Sequence, residues 1–135
     1  MRKTYHGSCH CGAIAFETDI DLSEGTNRCN CTFCRKTRNW TAAATPDAFR
    51  ITRGHKWLRR YDASGQSINA HCFCGKCGVR LFSEGDIPEL GGAYVAVAIA
   101  TLDDVDDEAL SEAPVNWMDG LNDNWWEAPT QTRHL

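Results

Sequence analysis

A chain of 135 residues with a formal charge of −4 and eight cysteines is long enough for one buried core. The acidic balance argues against a nucleic-acid-binding zinc ribbon, which would carry a basic surface. No apolar run approaches the roughly 20 residues needed to span a bilayer, so no membrane partner is expected.

Met1 to His6 is basic but lacks an apolar stretch behind it, which predicts no secretory signal and a reducing, cytoplasmic setting. Residues 13–18 alternate as a strand, and the polar run 19–27 breaks it. Thr45-Pro46-Asp47 places a capping residue before proline and an acid, predicting one helical turn that carries Phe49 inward. Residues 50–52 lead to a turn at Arg53-Gly54. Residues 56–61 and 66–73 flank Asp62-Ala63-Ser64-Gly65 and read as a hairpin. Residues 79–83 form a further strand, 85–92 a Gly/Pro loop, and 93–100 the most apolar run and the expected central strand. No stretch of ten residues carries a helical period. The expectation is a single, mainly β, mainly antiparallel domain over 1–135 with short helical turns.

The cysteines fall into three knots: Cys9-His10-Cys11, Cys29-Asn30-Cys31-Thr32-Phe33-Cys34 and Cys72-Phe73-Cys74-Gly75-Lys76-Cys77. Thiolates two and three residues apart converge on one ion, whereas a disulfide framework spreads its cysteines. Zinc is the expected metal, because it takes Cys ligands tetrahedrally without redox chemistry. Cys74 to Gly78 is a knuckle sequence, and joining Cys9 and Cys11 to Cys74 and Cys77 would give a closed four-cysteine site. Cys29, Cys31 and Cys34 supply three thiolates and leave a position open, the usual arrangement of a catalytic zinc. Cys72 could complete that site, compete with Cys74 or stay a buried spare thiol, and the last is favoured. Arg28, Arg35, Lys36 and Arg38 surround the second knot. They could balance thiolate charge or hold an anionic ligand. His10 and His71 read as core or supporting hydrogen-bonding residues. Trp117, Trp125 and Trp126 are expected to close the core, with a substrate-stacking wall as the alternative. The run Asp103 to Glu108 reads as a solvated acidic turn.

His6 to Ile14, Cys29 to Lys36 and Phe73 to Gly78, with Thr101-Leu102-Asp103-Asp104 and Trp125 later, resemble the glutathione-dependent formaldehyde-activating enzyme family over nearly the whole chain. The resemblance implies a zinc-pinned β-tent. It also implies two Zn²⁺ per chain, one structural at Cys9, Cys11, Cys74 and Cys77 and one catalytic at Cys29, Cys31 and Cys34. The implied activity is that of a carbon–sulfur lyase acting on S-hydroxymethylglutathione, with Arg35 and Lys36 as candidate contacts to a glutathione-like thiol. The alternative is a zinc-stapled module without catalysis. Two positions depart from the family's pattern: Thr37-Arg38-Asn39-Trp40 replaces a small Ser-Gly type stretch, and Asn116 stands where a histidine is usual. The substrate and the oligomeric state stay open.

Overall fold

The computed structural model describes residues 1–63 and 69–135. Among them the strands form two sheets. The smaller holds β1 (Lys3–Ser8), β2 (Ala15–Ile20) and β5 (Phe49–Arg53), in that spatial order and antiparallel throughout. The larger contains β3 (Thr26–Cys29), β4 (Thr41–Ala44), β6 (Leu58–Asp62), β7 (Asn69–Cys74), β8 (Arg80–Ile87), β9 (Gly92–Ala98) and β10 (Val115–Met118). Its order is β10-β3-β4-β9-β8-β7-β6, so the apolar run occupies the middle strand as expected. Among the described residues helix is confined to short 3-10 turns and two six-residue helices, α1 (Thr32–Thr37) and α2 (Asp107–Glu112). The fold is therefore mainly β.

Strict alternation buries Phe16, Thr18 and Ile20 of β2 on one face. Gly7 lies opposite Phe16 and cannot be larger, since a Cβ there would meet the ring at 2.2 Å. The sheets meet through aromatic rings: Phe16 against Phe49 at 5.1 Å, and Phe49 against Phe82 of β8 at 4.5 Å. Phe49 thus enters the core from the turn at Pro46–Ala48. That turn is closed by Ala48 N–H on the Thr45 carbonyl rather than by the Thr45 side chain.

The structure departs from expectation at the end of β8, in the acidic run and at the tryptophans near the carboxyl terminus. Gly85 to Ile87 are not loop but the end of β8, paired with β9; a Gly85 Cβ would strike the Tyr94 ring opposite at 2.5 Å. The hairpin of β6 and β7 is present, but residues 64–68, which include part of its expected turn, lie outside the described residues. The acidic run is not merely solvated. Asp103 accepts from Ser8 Oγ (2.6 Å), Asp104 from His6 N–H (2.9 Å), and Asp106 caps α2 through Ala109 N–H (2.7 Å). Trp126 is 83% exposed and Trp125 45%, because β10 is an edge strand and the chain after it runs across the surface.

His6 Nδ1 lies 2.7 Å from Asp104 and its Nε2 3.4 Å from Glu17. The hydrogen bond to Asp104 holds the imidazole pKa above its usual 6.5. A raised folded pKa favours the native state fully below the unfolded value of 6.5, and that gain is lost as pH rises through the folded value. Thermal melts of the protein should therefore lose stability above about pH 6.5 more steeply than those of His6→Gln. Parallel curves for the two proteins would remove His6 from the pH response.

Candidate metal centres and their surroundings

Cys9, Cys11, Cys74 and Cys77 bring their four sulfurs within 4.8 Å of one another. The Cys9–Cys11 and Cys11–Cys74 separations are 3.6 and 3.8 Å. Tetrahedral zinc with bonds of about 2.3 Å requires about 3.8 Å between sulfurs, so this donor set fits the metal. Local folding explains the convergence. Gly12 and Gly78 take the left-handed backbone (φ 78° and 81°) that each knuckle needs, and the chain folds back so that amides face sulfur. Ile14 N–H donates to Cys9 Sγ (3.3 Å); Lys76 and Cys77 N–H donate to Cys74 Sγ (3.3 and 3.4 Å). Backbone N–H groups of Cys11 and Val79 bring the Cys77 thiol down to about 6. Gly75 serves the neighbouring strand instead. Its N–H bonds the Trp57 carbonyl at 2.7 Å, and a Cβ would lie 2.9 Å from the Arg59 side chain.

Cys29, Cys31 and Cys34 form a second cluster, again with sulfurs within 4.8 Å. Cys29 ends β3, and Cys31 is the N-cap of α1, its sulfur accepting from Cys34 N–H at 3.4 Å. Cys31 N–H in turn donates to Cys29 Sγ at 3.3 Å. Hydrogen bonds with Cys29 and Cys34 lower the Cys31 thiol, while those with Cys29 and Cys31 push Cys34 up and the one with Cys31 pushes Cys29 up. Zinc would take all three as thiolates, the state in which cysteine binds it.

Cys72 joins neither cluster. It is fully buried in the core, and burial pushes its thiol up to about 11. The spare-thiol reading describes this position.

The basic island divides by location. Arg28 packs its guanidinium over the Trp40 ring at 4.8 Å, and Arg38 donates to the His134 carbonyl at 3.3 Å. Arg35 lines a cavity of about 390 Å³ together with Asn30, Asp119 and residues of the segment 121–134. Lys36 is exposed and is not among the residues lining that cavity. Asn116 lines a second cavity of about 320 Å³ with Asn27 and Gly25, to which no cysteine contributes. His10 is exposed.

Several residues at the second cluster escape sequence reasoning. Asn39 Nδ2 donates to Cys34 Sγ at 3.5 Å, and its Oδ1 is buried without a partner among the described residues. Phe33, between Cys31 and Cys34, stacks on the buried His71 ring with centroids 3.5 Å apart. Arg80 lies over the Phe33 ring at 5.7 Å and donates through Nη1 to Ser83 Oγ (3.2 Å). Ser83 Oγ is 2.7 Å from His71 Nδ1. With one proton and two acceptor sites, the Ser83 hydroxyl serves Arg80 and the His71 ring together. Burial and then Arg80 lower the His71 pKa, which keeps the ring neutral. A lone arginine in the apolar run 79–82, beside a cysteine knuckle, is the signal that could have found this group.

The segment after β10 is the other omission. β10 pairs parallel with β3, which sets Met118 opposite Cys29 and leads the chain directly over the cluster. Asn30 Nδ2 donates to Asp119 (2.8 Å) and Asn30 Oδ1 accepts from Leu121 N–H (3.0 Å). A Cβ on Gly120 would meet Cys29 Sγ at 2.7 Å and the Trp125 ring at 2.6 Å, so the loop closes tightly there. Trp125 thus packs against the second cluster instead of the core.

Two sheets meet where cysteine knots converge, one cluster with four thiols and one with three, and this defines a mainly β protein with two clusters that could hold zinc, the second adjoining in the chain the cavity-lining Asn30 and Arg35. The chain belongs to the glutathione-dependent formaldehyde-activating enzyme family, whose sequence model matches residues 4–119. It is also similar to the crystal structure of a Rhodobacter sphaeroides protein, with a TM-score of 0.66 and 29% identity over 82% of this chain and 99% of that one. No helix is long and apolar enough to cross a membrane among the described residues.

Proposed function

We propose that the protein is a zinc-dependent carbon–sulfur lyase-type enzyme that makes and breaks a thiol–aldehyde adduct such as S-hydroxymethylglutathione. The observation that carries this reading is the inequality of the two cysteine clusters. Four thiols suffice to close the first, whereas Cys29, Cys31 and Cys34 leave one tetrahedral position for a substrate. Zinc held by these three would supply a Lewis-acidic position at which a thiol loses its proton. Cys9, Cys11, Cys74 and Cys77 would hold the second, structural ion.

The reaction itself is simple. In one direction the thiol sulfur bonds to the aldehyde carbon, the carbonyl π pair moves to oxygen, and that oxygen gains the proton the thiol gave up. In the lyase direction the hydroxyl proton leaves, the carbonyl re-forms and the carbon–sulfur bond breaks. The chain's part is to orient and to exclude water. Arg35, exposed in the cavity wall and next to Cys34 in the chain, is available to hold a substrate carboxylate. Gly120 and Trp125 cover Cys29, and Phe33, backed by the His71 ring, keeps the helix carrying Cys34 in place.

Purified under reducing conditions, the protein should contain two zinc ions per chain. With cobalt in the second cluster, glutathione should perturb the visible spectrum at lower concentration than 2-mercaptoethanol does. Arg35→Ala should narrow that difference, as should salt, since exposed charges are screened within about 8 Å at physiological ionic strength. A spectrum that no thiol changes would mean a closed site, and the protein would then be a zinc-stapled module without catalysis.

A further inference from the structure

The helix that carries Cys34 rests on a row of side chains across the larger sheet. Tyr61 of β6 stands opposite His71 of β7, and His71 opposite Ser83 of β8, so all three share one face. Phe33 of α1 covers that row, its ring centroid 3.5 Å from that of His71 and 6.4 Å from that of Tyr61. Arg80 lies three residues before Ser83, and plain alternation would put it on the opposite face. A shift of register prevents this. Cys72 pairs with Phe82 but Phe73 with Arg80, which leaves Leu81 as an extra residue in β8. The bulge turns the guanidinium onto Phe33, 5.7 Å from the ring centroid.

A permanent positive charge thus sits under α1, and no carboxylate answers it. Arg80 is half-buried, and its bond to Ser83 Oγ goes to a neutral group. It has no ion pair among the described residues, whereas Arg50 and Arg60 meet acids. Glu84, the nearest acid in sequence, is the residue that takes Arg60. A cation withdrawn from water needs an opposite charge nearby. Burial lowers the Arg80 pKa, and the thiols of Cys34 and Cys72 act in the other direction. Cys72 is a core side chain outside both clusters. Cys34 belongs to the three-cysteine cluster, where thiolates around a divalent ion would keep one negative charge in excess.

We propose that Arg80 is the counter-charge of the three-cysteine centre, a positioning residue that favours a fourth ligand arriving as an anion, such as a thiolate, over a neutral one. Its field acts on the cluster without a hydrogen bond to any cysteine among the described residues. A thiolate in the fourth position adds a second excess negative charge, which an adjacent guanidinium stabilises; a neutral ligand adds none. This role rests on the lyase reading, since only an open centre has a fourth ligand to choose.

The test compares two exogenous ligands of the cobalt-substituted protein at one pH and ionic strength: 2-mercaptoethanol, which ligates as an anion, and imidazole, which ligates as a neutral molecule. In visible-spectrum titrations Arg80→Met should weaken 2-mercaptoethanol about tenfold and leave imidazole within about twofold of wild type. Arg80→Lys should restore most of the difference. A merely structural role would weaken both ligands together. Methionine is unbranched and adapts to the space the arginine leaves; if circular dichroism shows that this variant is unfolded, Arg80→Gln takes its place. Where the ligands enter, their ratio decides: a ratio unchanged by the neutral variant overturns the proposal and leaves the lyase reading standing. If neither ligand alters the wild-type spectrum, the lyase reading fails and competition with a zinc chelator decides the counter-charge. Earlier release of one of the two ions from Arg80→Met, reversed in Arg80→Lys, keeps the counter-charge; equal release from all three proteins overturns it.

Discussion

Cys74→Ser should lower the melting temperature of the zinc-loaded protein far more than Cys31→Ser. Cys74 is completely buried, accepts two backbone N–H bonds and lies 3.8 Å from a sulfur 63 positions earlier in the chain. Its cluster ties the end of β1 to the turn between β7 and β8, so metal binding there closes long loops. Structural zinc contributes on the order of 10 kcal/mol in zinc-finger peptides, comparable with the whole stability of a small domain. Removing one ligand should therefore leave the native state barely populated. Cys31 belongs to a cluster that closes only a short local loop, and its second role is as N-cap of α1. Serine is itself a favoured N-cap, so that role survives the substitution and the loss should be small. Melts of the two variants under identical zinc and reductant decide the matter. Equal losses would make both centres structural and favour the scaffold reading.

Gly54→Ala should be as damaging as losing a metal ligand, although no cysteine changes. Gly54 has φ 87°, and its absent Cβ would sit 1.9 Å from the Ala13 carbonyl oxygen and 3.0 Å from Ile14 Cα. A left-handed conformation alone costs an L-residue roughly 1–2 kcal/mol. The clash adds to it, because both partners are backbone and cannot rotate away. Ala13 and Ile14 follow Cys9, Cys11 and Gly12, and Ile14 N–H is the donor to Cys9 Sγ. Arg53, the preceding residue, grips the Gly12 carbonyl at 2.8 Å. Pushing this loop outward must open the four-cysteine cluster, so the expected loss is about 3 kcal/mol or more, with weaker zinc retention against a chelator. A variant with unchanged melting and zinc affinity would contradict the packing of Gly54 on that loop.

Where sequence and structure differ, the missing information is of one kind. Gly85 and Gly92 resemble loop punctuation, but Gly85 is small because Tyr94 lies across from it, and glycine in a strand cannot be told from glycine in a turn without its neighbour. The size of a tryptophan suggests the core, yet burial of Trp125 and Trp126 depends on which edge of the sheet β10 occupies. The acidic run looks solvated because its partners, His6 and Ser8, are nearly a hundred residues distant.

Local spacing alone determined the mainly β architecture, the apolar central strand and the three cysteine knots, whereas the exclusion of Cys72 from both clusters was decided by the tertiary structure. The former follow from short-range physics: period-two alternation chooses a sheet face, and sulfurs two or three residues apart can converge on one ion. Tertiary structure decided what surrounds the three-cysteine cluster. The parallel pairing of β10 with β3 joins residues about ninety apart and carries Asp119, Gly120 and Trp125 onto Cys29, while the β7–β8 pair delivers His71, Ser83 and Arg80 to Phe33. Such long-range partners leave no periodic trace in a single sequence, because register across a sheet is set by packing and closure of the whole chain rather than by any local pattern.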